Sequence, residues 1–165
     1  MEYSFRWLDL LSGLYRMQYG DCLYARDYPY EATPYPHSLI PAALFESVVL
    51  PHFDISLQEF RARALYDAGT DSYPWQALDC SNMQYYPDLI PELTEARENA
   101  DGTTTLFVNV ICPDLHTDRL FTHELTLRIA PDGGFQYLAN RLTYRSGIEL
   151  PSPQPRIEAR RFRVE

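Results

Sequence analysis

Residues 98–112 read ENADGTTTLFVNVIC and residues 121–140 read FTHELTLRIAPDGGFQYLAN. Each contains a glycine turn beside a stretch in which apolar side chains recur at every second position. Asp-Gly and Asp-Gly-Gly supply the positive φ that tight hairpins need, and a period of two places alternate side chains on opposite faces of a sheet. These stretches predict two hairpins. Leu93–Glu98 pairs with Thr103–Cys112 across NADG, and Leu120–Ile129 pairs with Phe135–Tyr144 across PDGG. Leu106, Val108 and Val110 fall on one face, and Thr105, Phe107 and Asn109 on the other. In the next strand Phe121, His123, Leu125, Leu127 and Ile129 share a face, opposite Thr122, Glu124, Thr126 and Arg128.

Upstream of the hairpins the period is helical. Ser4 is placed to cap a first helix to about Met17, with Phe5, Leu8, Leu11 and Tyr15 on one side. Gly13 interrupts it. Prolines 29, 34 and 36 then exclude regular structure from Tyr19 to His37, a tyrosine-rich loop expected to be pinned to the core by its rings. A second helix is expected from Ser38 or Pro41, burying Leu44, Phe45, Val48 and Val49 and ending at Pro51. Ser56-Leu-Gln-Glu59 is a capping box. It opens a third helix to about Tyr66 that buries Leu57, Phe60 and Ala64 and turns Glu59, Arg61 and Arg63 elsewhere. YPWQAL at 73–78 is a short strand that plants Trp75. Helices followed by an antiparallel meander predict an α+β fold, the helices packed on a curved sheet of about four strands. Residues 1–145 are expected to form one domain, helical over 1–70 and sheet over 73–145. Residues 146–165 form a proline-rich linker and a basic segment.

Composition narrows the function. A chain of 165 residues with 45% hydrophobic and 14% aromatic side chains is a packed globule. A formal charge of −9 disfavours nucleic acid, whose phosphates need a surplus of cations. The chain contains no lysine, which excludes a Schiff-base lysine and a P-loop. No apolar run is long enough to span a bilayer, and the N-terminus lacks the basic-then-apolar pattern of a signal peptide. Three cysteines, Cys22, Cys80 and Cys112, allow one disulfide in three ways. A Cys80–Cys112 bridge would contribute about 3–4 kcal/mol.

Taken in order, LFESVVLPHFDISLQEFRARALYD, YPW, ENADGTTTLFVNVIC and FTHELTLRIAPDGGFQYLAN resemble an uncharacterised family of lipoproteins from gut Firmicutes, over roughly residues 38–145. Each of these proteins looks like a membrane-tethering signal followed by one extracytoplasmic α+β domain. The resemblance implies a site of action outside the cytoplasmic membrane, reached through a lipid anchor absent from this chain. It also implies a compartment where the Cys80–Cys112 bridge could form, and it carries no catalytic residue. The helix-then-meander layout is also similar to cystatin-like and NTF2-like domains, whose curved sheets often enclose a pocket.

The chemistry-bearing residues are sparse. His123 lies mid-strand among apolar neighbours, and Glu124 points to the opposite face, so the two do not share a metal. His123 is expected to face a packed helix; in the alternative it lines a pocket with Tyr137 and Trp75. Asp114, His116 and Asp118 occupy the connection between two strands. Their alternate spacing makes them weak candidates for a cation, though such residues are ordinary in exposed loops. No serine has a nucleophile-elbow context. These readings favour a non-catalytic extracytoplasmic domain acting in binding or as a structural module. The alternative is a small pocket-containing enzyme or ligand-binding domain. No cofactor is expected, and a small molecule, a glycan or a protein would fit as partner.

Overall fold

The computed structural model describes residues 7–29, 38–76 and 88–150. Among the described residues three α-helices and two antiparallel sheets make an α+β fold, as expected. The chain forms two compact units. Among the described residues, 7–29, 38–51 and 55–76 belong to the first, and 52–54 and 88–150 to the second.

The first unit is helical with a small sheet. Helix α1 (Trp7–Tyr19) buries Trp7, Leu11 and Leu14, spaced four and three apart on one stripe. Among its described side chains this stripe lies one step round from the expected one: Tyr15 is half-buried and packs on Tyr19 instead. Ser4 and Phe5 lie outside the described residues.

Strand β1 (Ser38–Pro41) and helix α2 (Ala42–Val49) follow. The second helix therefore begins only after Pro41, and the Ser-Leu-Ile-Pro that precedes it is a strand. Four residues show too little periodicity to declare themselves. Their partner is distant, for β1 pairs antiparallel with β2 (Ser72–Trp75), Ile40 opposite Tyr73 and Ser38 opposite Trp75. Strand β2 thus belongs with the helices, and the larger sheet starts at Ile90 rather than at residue 73.

Helix α2 buries Ala42, Phe45, Val48 and Val49. Helix α3 (Leu57–Arg63) starts at the predicted box, where the Ser56 hydroxyl accepts from the Glu59 N–H at 3.2 Å. The Glu59 carboxylate pairs with Arg63 one turn on. Leu57, expected inside, is 43% exposed, while Phe60 and Ala64 are buried. Replacing Ser56 by Ala should cost about 1 kcal/mol, the usual loss for an N-cap hydroxyl, read as a lower urea midpoint.

The core of this unit is aromatic. Phe60 meets Trp7 edge-on at 5.0 Å and Phe45 edge-on at 5.4 Å, its ring is tilted against Tyr73 at 5.6 Å, and Phe45 meets Tyr73 edge-on at 4.6 Å. Rings set edge to face gain from their quadrupoles beyond the area they bury. Tyr28 lies edge-on to Trp75 at 6.0 Å, so the described part of the tyrosine-rich loop is pinned to the core as expected.

The second unit is the predicted meander, in the order β3 (Ile90–Glu98), β4 (Thr104–Cys112), β5 (Thr117–Ile129) and β6 (Phe135–Arg145). Gly102 and Gly133 take φ of +79° and +88° in the two turns, which is why Asp-Gly and Asp-Gly-Gly stand there. In the first turn Asp101 accepts from the N–H and hydroxyl of Thr103 at 3.0 and 2.7 Å, and those bonds hold its carboxyl below the usual range.

Both edge strands are blunted. Thr94 in β3, and Leu138 and Thr143 in β6, are extra residues opposite shorter stretches of their neighbours. Such bulges bend a strand and raise its twist. Pro91, Glu92, Glu95 and Glu98 add a missing donor and like charges to the β3 edge. These devices discourage edge-to-edge pairing with another sheet.

Candidate functional site

Register turns the alternation of the strands into two unlike faces. One row crosses the sheet as Leu93, Val108, His123 and Leu142. The adjoining rows are Pro91, Val110, Phe121 and Arg145 on one side, and Ala96, Leu106, Leu125 and Asn140 on the other. This face is therefore mainly apolar, with His123 at its centre and Asn140 and Arg145 on β6. The opposite face sets Glu95, Phe107, Glu124 and Arg141 in one row and Glu92, Asn109, Thr122 and Tyr144 in another. There Thr122 donates to Asn109 at 2.8 Å, Arg141 pairs with Glu124, and the Arg97 guanidinium lies 5.0 Å over the Phe107 ring.

His123 sits where the sequence placed it, on the face of Phe121 and Leu125, with the Phe121 ring edge-on at 5.4 Å. It is half-buried rather than sealed. Its Nδ1 is 2.7 Å from Asn140 Oδ1. An amide oxygen only accepts, so in this bond the donor is the Nδ1–H. The row that holds it ends in open leucines, Leu93 at 57% and Leu142 at 40% exposure.

Tyr137 stands opposite Leu127, four residues along β5 from His123. At ~3.3 Å per residue the two are separated by about 13 Å along the strand. Tyr137 stacks on Phe53 at 5.5 Å and meets Phe135 edge-on at 5.2 Å, and burial pushes its phenol up. Beside it the His52 ring lies 4.4 Å from Phe135, and His52 Nδ1–H donates to the Phe135 carbonyl at 3.0 Å. Trp75 is fully buried in the first unit, and its indole N–H has no hydrogen-bond partner among the described residues.

The 114–118 connection is a turn. A 3-10 segment (Pro113–Leu115) is closed by His116 in the left-handed region at φ +51°, its N–H on the Pro113 carbonyl. The Asp114 carboxylate accepts the Asp88 N–H at 3.1 Å, and Asp114, His116 and Asp118 are all exposed. Among the described residues no three His, Cys, Asp or Glu side chains gather closely enough to hold a metal ion. Cys112 is buried and bridges to no other described cysteine, and Cys80 lies outside the described residues.

The most developed polar cluster is one that sequence reasoning missed. Glu46 of α2 takes Arg61 Nε at 2.7 Å and Nη2 at 3.1 Å, and the Tyr73 hydroxyl at 2.8 Å. Arg61 lies 4.2 Å over the Tyr66 ring, whose hydroxyl donates to Asp71 at 2.7 Å. The bond to Glu46 raises the guanidinium further, and burial followed by the same carboxylate raises the Tyr73 phenol. Arg61 was expected to face elsewhere. Arg61 and Tyr73 lie 15 and 27 positions along the sequence from Glu46, separations that carry no local signal.

These side chains hold backbone and core together. Glu46 joins two helices and a strand, His52 and Asp114 fix backbone groups, and the meander's apolar face leaves Leu93 and Leu142 open on either side of His123. A family model described as a family of unknown function (DUF6070) matches residues 4–156. No curated protein and no solved structure matches the chain.

Proposed function

The chain belongs to DUF6070, a family of unknown function, and we propose that it is a non-catalytic binding or structural module of a bacterial envelope lipoprotein, working outside the cytoplasmic membrane. The observation that carries the binding part is the row Leu93–Val108–His123–Leu142, apolar, open at both ends and centred on a histidine. Exposed apolar surface of this kind marks sites of interaction more often than sites of chemistry. The Glu46, Asp114 and Glu124 carboxylates and the His52 and His123 rings are engaged in bonds to backbone or neighbouring side chains, which supports a non-catalytic role. Location rests on the resemblance to lipoproteins from gut Firmicutes.

Location has a direct test in a bacterium that carries the gene. The protein should take up labelled palmitate, sediment with membranes and be cut by protease added to intact cells. An unlabelled protein in the soluble fraction, protected until lysis, would overturn the assignment.

A second reading, a small ligand-binding domain, draws on the fact that His123 is not sealed. A fragment screen by NMR that moves the His123 ring signals in the wild type, and moves nothing in His123→Phe, would favour it over the first.

A further inference from the structure

The short connection between α2 and α3 has a role that neither helix explains. The chain up to Pro51 and from Ile55 groups with the helical unit, yet His52–Asp54 group with the sheet. Phe53 forms a parallel bridge to Tyr137, on the edge strand β6, and stacks on its ring at an interplanar angle of 26°. His52 bonds the Phe135 carbonyl and lies against the Phe135 ring. All four side chains are half-buried.

Three residues are too few to hold a strand position by themselves, because fixing their backbone costs more than one bridge and one side-chain bond return. They stay because folded chain fixes both of their ends. We infer that His52–Asp54 is a strap that makes the folding of the sheet conditional on the folding of the helices. When α2 and α3 unfold, the strap becomes part of a long flexible loop, and closing it onto β6 costs more entropy. When the strap leaves, the Phe135 and Tyr137 rings lose their cover and the β6 edge loses its only described partner on that side.

The full chain offers separate probes for the two units. Both tryptophans, Trp7 and Trp75, lie in the helical unit, so their fluorescence reports it alone. Amide exchange in Thr104–Cys112 and Thr117–Ile129 reports the sheet. In urea the two probes should give one midpoint for the wild type. In Phe53→Gly the sheet midpoint should fall below the tryptophan midpoint, and Phe53→Tyr should restore coincidence. Separate midpoints in the wild type, or an equal fall of both in Phe53→Gly, would overturn the inference. Should Phe53→Gly fail to fold, Phe53→Leu carries the same comparison.

Discussion

Glu46→Ala lowers the unfolding free energy by about 3 kcal/mol, the low end of what removing one partner of a buried ion pair costs. Glu46 is 14% exposed and Arg61 33%, so the orphaned guanidinium regains some water and the full penalty is not reached. The Tyr73 hydroxyl has no such relief, because Tyr73 is fully buried. Its loss is the larger share per group, since an unsatisfied buried donor keeps its whole desolvation cost. Tyr73→Phe, which removes donor and desolvation together, should cost only about 1 kcal/mol. The pair of variants, with the double mutant, is read from urea unfolding by tryptophan fluorescence. An additive double mutant would mean that Glu46 and Tyr73 do not act on one another.

Phe60→Ala has the largest expected effect, about 3–5 kcal/mol, because the void sits where three rings converge. Trp7 and Phe45 each lose an edge-to-face partner, and Tyr73 loses a tilted one. They come from a helix, a second helix and a strand, which cannot all move inward to fill the space. For a two-state unit this loss approaches the whole stability, so the variant should lose its cooperative thermal transition or show it at a much lower temperature. Leu57→Ala, one turn earlier and 43% exposed, should change the same transition little.

What could be read in advance follows the range of the interaction. The hairpins were legible at NADG and PDGG because turn chemistry and strand period reinforce each other within a few residues. Ser56 capping Glu59 was legible for the same reason. The Ser38–Pro41 strand was not, because its identity comes from Ser72–Trp75 more than thirty positions away. Nor was the Glu46–Arg61–Tyr73 cluster: on a helical wheel Arg61 lies outside the apolar stripe, and only packing brings Glu46 to it. For His123 the face and neighbours were readable from alternation, while its half-buried state was not. The expectation of a packed helix over it rested on layer architecture, and alternation says which face is apolar without saying what covers it.

That apolar face is the centre of the functional account, and the solvent exposure of the Leu93 and Leu142 methyl groups measures it. With a soluble paramagnetic probe, both leucines should broaden as strongly as Leu57, while Val48 and Val49 stay sharp in the core. Leu93 and Leu142 methyls as protected as those of Val48 would contradict the account, for the row around His123 would then be interior packing and no surface for a partner.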